Sequence, residues 1–158
     1  MQAHLQLTFE PMWPNVREIR QRVGAALEDC PPQLRSAAIM TASELVENAI
    51  KYGESVPAAA TVTFVLEATS EMMFIRVVNG STNSAGVAEL ERRVHELRSA
   101  GDKQALYLAR LEQLLADADE SGKLGIYRIG FEGGFDLQLD YMDDVVTMTA
   151  TRKANANA

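Results

Sequence analysis

Polar and apolar residues alternate over residues 4–9, where Leu5, Leu7 and Phe9 oppose Gln6 and Thr8, and this period of two predicts a half-buried strand. Pro11 and Pro14 end it, and Trp13 is expected to wedge between the strand and the core. The period then lengthens to that of a helix. Val16, Ile19, Val23, Ala26 and Leu27 predict one running to about Glu28, with Asn15 as its N-cap. Pro31-Pro32 interrupts the chain. Beyond it Leu34, Ala38, Ile39, Ala42, Leu45, Val46, Ala49 and Ile50 supply the apolar face of a longer helix reaching Tyr52, with Gly53 as its left-handed terminator.

Two strands are expected next. Residues 60–68 alternate Val62, Phe64 and Leu66 against Thr61, Thr63 and Val65, whereas residues 72–78 are more uniformly apolar. Residues 67–71 join them as a hairpin loop. Residues 79–86, from Asn79 to Gly86, break every pattern and predict a loop that allows close approach to a ligand. Val87, Leu90, Val94 and Leu97, then Leu108, Leu111 and Leu115 past Gly101-Asp102, predict a helical hairpin. This insert covers about residues 87–118, each helix lying on the surface with one side packed. A glycine-containing turn, Gly122-Lys123-Leu124-Gly125, leads into a further helix. Strands over residues 135–141 and 145–151 close the pattern around Asp143-Asp144, and the tail from about residue 153 to 158 is expected to fray.

Composition narrows the function classes. The chain has 158 residues, enough for one core and short for two, and 47% of them are apolar. A net charge of −7 argues against nucleic acid as the main partner, because phosphate backbones need a positive field. No apolar run approaches the roughly 20 residues that span a bilayer. Met1-Gln2-Ala3-His4 lacks the basic start of a signal peptide. Cys30 has no second cysteine to pair with, so a cytoplasmic protein without membrane contact is expected.

Chemistry concentrates on the second helix. Thr41, Glu44, Asn48 and Lys51 stand three or four residues apart and form one stripe. A carboxylate one turn from an amide can take a proton while the amide oxygen meets Mg²⁺. The plainer alternative is the solvated side of an amphipathic helix. Downstream, glycine ahead of a helix lets backbone N–H groups approach a phosphate, with Lys123 adding charge.

Glu44-x-x-x-Asn48-Ala49 followed by Lys51-Tyr52-Gly53 resembles the N-box of the GHKL (Bergerat-fold) ATP-binding superfamily, which includes gyrase, histidine kinases and the anti-sigma-factor serine kinases. The turn ending in Leu124-Gly125-Ile126-Tyr127 resembles the G2 box of the anti-sigma-factor kinases. The helical hairpin between the two boxes resembles the small SiaB-like kinases of bacterial partner switching. The resemblance implies one ATP-binding domain over residues 1–158: an α/β (α+β) two-layer sandwich with helices on one face of a mixed, mostly antiparallel sheet. It implies ATP and Mg²⁺ as cofactors, Glu44 as catalytic base, Asn48 as metal ligand, and Lys51, Tyr52, Asn79, Gly80, Gly122, Lys123, Leu124 and Gly125 around the nucleotide. The implied partner is a small regulatory protein, a STAS-type anti-sigma antagonist or a sigma factor; the oligomeric state stays open, with a homodimer as one option.

Two departures matter. The family's Asp-x-Gly-x-Gly is represented by Asn79-Gly80-Ser81, whose amide lacks the charge that strengthens a bond to adenine. Lys123 stands where many relatives have glycine. His95-Glu96-Leu97-Arg98 is similar to the phosphoacceptor box of histidine kinases, but it follows the N-box rather than preceding it, and His95 reads as a solvated histidine. The expectation is therefore a serine/threonine kinase or anti-sigma-like factor that phosphorylates or sequesters a small partner. The alternative is a degenerate pseudo-ATPase that serves as an interaction module.

Overall fold

Five strands build one open sheet in the computed structural model, which describes residues 2–116 and 124–154. β1 (Ala3–Phe9), β2 (Val62–Ala68), β3 (Met72–Gly80), β4 (Asp136–Met142) and β5 (Val145–Lys153) lie in the order β1-β2-β3-β5-β4. Every neighbouring pair is antiparallel, so the sheet is not the mixed one expected. Tight connections make β2–β3 and β4–β5 hairpins, and the long helical connection after β3 leads into β4, which runs in the same direction as β3 with β5 antiparallel between them. Asp143 and Asp144, with φ of 53° and 63°, form the two-residue turn between β4 and β5, the geometry that suits the twist of a hairpin.

Alternation along the strands sorts the two faces. Phe64, Leu66, Met73, Ile75, Leu137, Met148 and Ala150 are buried beneath helices. Gln6, Glu67, Arg76, Gln138 and Asp140 stand exposed on the opposite face. The result is an α+β arrangement of two layers. Each large apolar side chain fully buried between them contributes about 1.5–3 kcal/mol. No described helix is long and apolar enough to cross a membrane.

Helix α2 (Pro32–Tyr52) runs through the middle of the helical layer. Helix α1 (Pro14–Ala26) flanks it, tied by Arg35 Nε to Gly24 O at 2.8 Å and by Arg20 Nη1 to Ser43 Oγ at 2.9 Å. Three details of this half differ from expectation. Pro14 occupies the first helical turn, so Asn15 is inside the helix and its side chain donates to Glu10 O at 2.7 Å. Trp13 is 58% exposed rather than wedged inward. Gly53 is extended (φ −89°, ψ 161°) because the chain passes straight into a backbone bond from Glu54 N to Gly80 O. Glycine is required there for space, since a Cβ would meet Ala49 O and the Asn79 amide.

The expected loop at residues 79–86 shrinks to residues 81–83. Asn79 and Gly80 continue β3 by pairing with Val146 and Val145, and helix α3 (Ser84–Ser99) begins directly behind Asn83, whose side chain accepts from Gly86 N at 3.0 Å. α3 enters the core through Val87, Leu90, Val94 and Leu97. Helix α4 (Lys103–Ala116) has no fully buried residue, and Leu115 is 81% exposed. Helix α5 (Gly125–Phe131) inserts Ile126 and Ile129 beneath it. Lys153 and Ala154 are held rather than frayed: Lys153 pairs with Met72, and buried Ala154 donates its N–H to Glu71 O at 2.8 Å.

Candidate functional site

The stripe on α2 is not a wet helix face. Thr41 is fully buried, the Glu44 side chain is 18% exposed, Asn48 is half-buried and Lys51 is exposed. Helix α5 covers the inner half. Gly133, just after it, leaves room for Thr41 Oγ1, and Gly125, its first residue, leaves room for the Glu44 carboxylate. A Cβ on Gly125 would overlap Glu44 Oε2. Arg128, one turn along α5, places Nη1 3.2 Å from Glu44 Oε1. Burial pushes the Glu44 carboxyl above its ordinary 4.5, Glu47 adds to the rise, and Arg128 opposes it. Desolvation wins.

Asn48 sits one turn further along α2. Its Nδ2 is buried and has no hydrogen-bond partner among the described residues, and the same holds for Thr41 Oγ1. Lys51 places its ammonium 5.3 Å from the centre of the Tyr52 ring. The Tyr52 hydroxyl lies 3.5 Å from Nη1 of Arg93 on α3. Arg93 is only 2% exposed, and its Nη2 pairs with Glu89 Oε1 at 3.1 Å. Hydrogen bonds from Arg92 and Arg93 hold the Glu89 carboxyl down at about 2. Sequence reasoning passed over Arg93. The available signal was Glu89 four residues before an arginine set between the core positions Leu90 and Val94.

At the end of β3 the arrangement is closed. Asn79 is 5% exposed, and its Nδ2 donates to Gly80 O at 3.0 Å. The crevice beside it, walled by Ala49, Glu54, Ala59 and Gly80, holds no water-sized space. Gly80 lies against Glu54 O and Ala59 O too closely for any side chain. Ser81, fully buried, donates Oγ to Tyr52 O at 2.7 Å and so fastens this corner to the end of α2. Thr82 N donates to Glu54 Oε1 at 2.6 Å, and the Thr82 hydroxyl donates to the same oxygen.

The other candidates divide. Leu124 is half-buried ahead of α5, and its carbonyl accepts from Arg128 N at 3.1 Å. Gly122 and Lys123 lie outside the described residues. His95 is exposed on α3, as a solvated histidine should be. Its neighbour Glu96 is structural, taking Arg110 Nη2 at 2.5 Å and Nε at 2.8 Å to bind α4 to α3. An open cleft of about 670 Å³ lies beside Arg128, between the start of α2, Glu132 and Arg152.

A nucleotide with Mg²⁺ meets these residues unevenly. Asn48 fits the phosphate side of such a ligand, since its buried N–H₂ is a donor that no described residue matches, while a cation would have to meet the amide oxygen instead. Asn79 does not fit as packed, because its amide is bonded to its neighbour and no space adjoins it. Among the described residues no three His, Cys, Asp or Glu side chains cluster as a metal site, so any cation here would depend on oxygens brought by its ligand. Comparison with models of known protein families gave no match, and neither did comparison with curated protein sequences.

Proposed function

We propose that this chain is a Bergerat-type regulatory protein that binds ATP·Mg²⁺ and acts on a small partner protein, by phosphorylating a serine or threonine or by sequestering the partner. One observation carries the reading: Glu44 and Asn48 stand one turn apart on α2, the first half-buried against α5 and the second with a buried amide N–H₂ that no described residue matches, a donor open to a phosphate oxygen. Asn48 would hold the cation, whose chemistry when bound is to neutralise phosphate oxygens. Glu44 would orient the partner's hydroxyl and accept its proton, a role suited to a carboxyl raised by burial. Lys51 and Tyr52, three and four residues further along α2, would border the nucleotide. A cytoplasmic setting follows from a partner-switching role.

Thermal unfolding with ATP·Mg²⁺, compared with ATP plus EDTA, tests the reading. A ligand at a hundredfold excess over its dissociation constant stabilises the folded state by about 2.7 kcal/mol, and the shift should vanish with EDTA. A second reading is favoured by the closed packing at Asn79: a degenerate member that works as an interaction module without nucleotide. No shift at millimolar ATP selects it.

A further inference from the structure

Glu44 is gripped from across the fold by a row of side chains that ends on α4. Arg128 lies between two carboxylates, with Nη1 3.2 Å from Glu44 Oε1 and Nε 3.1 Å from Glu132 Oε2. Those nitrogens lie on opposite edges of a planar guanidinium, so one cation is shared and neither acid receives a two-pronged clamp. The other oxygen of Glu132 accepts from the Tyr107 hydroxyl at 3.2 Å. Tyr107 also meets the Phe131 ring, with centroids 5.3 Å apart. Tyr107 belongs to α4, which has no fully buried residue and is therefore the described helix least anchored by the core.

We propose that Arg128 is a latch on the Glu44 carboxylate and that the docking of α4 sets its strength through Tyr107 and Glu132. With α4 docked, Tyr107 satisfies part of the Glu132 charge, and Arg128 is drawn toward Glu44. The carboxylate is then fixed beside Gly125 with its charge partly neutralised, and it is a weak proton acceptor. When α4 lifts, Glu132 loses its hydroxyl donor and draws Arg128 away, which releases Glu44. The functional half of this inference rests on the phosphoryl-transfer reading; the latch itself rests on the three contacts.

The test combines turnover with a signal that needs no nucleotide. Tyr107→Phe and Glu132→Gln should change kcat in opposite directions, up and down by about two- to fivefold, the range for half-exposed ion pairs, with KM for ATP nearly constant. A purely structural role would lower both. In the ligand-free protein, the ¹³C carboxyl resonance of Glu44 in Arg128→Gln marks the released position. Arg128→Met, which removes the charge and keeps an unbranched stem, replaces that variant if it does not fold. Tyr107→Phe should move the resonance toward the released position and Glu132→Gln away from it. A resonance unmoved by Tyr107→Phe, or moved the same way by both, overturns the latch. Should the parent protein transfer no phosphoryl group, the proposed function falls, and the carboxyl resonance alone decides the latch.

Discussion

At the scale of single residues, two atoms on α2 make opposite demands. The buried Asn48 nitrogen is matched by no described residue, and a buried donor left unanswered costs on the order of 1–3 kcal/mol. Asn48→Ala is therefore expected to keep or raise the melting temperature while abolishing the ATP·Mg²⁺-dependent shift. A fall of several degrees would make the amide structural. Glu44 is disfavoured as a charge by its burial. Its folded pKa lies above the ordinary 4.5, so the native state holds the extra proton between those values, and stability falls as pH rises through that window. Glu44→Gln should consequently be more stable than the parent at neutral pH, with the gap closing near pH 4.5; urea titrations at both pH values measure it. The helical spacing of Glu44, Asn48 and Lys51 was legible because it is a local property of one helix. The burial of Thr41 and Arg93 and the reach of Arg128 to Glu44 were not, since they are produced by α3 and α5 arriving from far along the chain.

At the scale of elements, glycines decide how closely the helices meet α2 and β3. Gly125→Ala puts a Cβ into the Glu44 carboxylate, and the cost should be about 1 kcal/mol larger in the parent background than in Glu44→Ala. Running the cycle cancels any gain in helix propensity, and equal costs in both backgrounds would separate Gly125 from Glu44. Most helices and strands could be read from the chain because their apolar periods agree with their burial. The errors fell where tertiary structure overrides local chemistry. Asn79-Gly80 has the composition of a turn, yet β5 pairs with it and turns it into strand. Gly53 has the composition of a helix terminator, yet the bond from Glu54 to Gly80 draws it into extended backbone.

At the scale of the whole molecule, the two-layer arrangement was legible from the succession of elements, but the strand order was not. Nothing local tells β5 to pair with β3, a contact between residues more than 60 positions apart. That position also sets a timetable for biosynthesis. β5 follows every other described element along the chain, yet it is an interior strand of the finished sheet. Until it emerges from the ribosome, β3 has a bare edge and β4 has nothing to join, a situation that invites mispairing with other chains. Nascent chains arrested before residue 145 should remain sensitive to protease, and those extended past Ala154 should become resistant; early resistance would show that the first three strands and α2 hold together alone. Of the described strands, the last to be synthesised is the one that joins the two halves of the sheet.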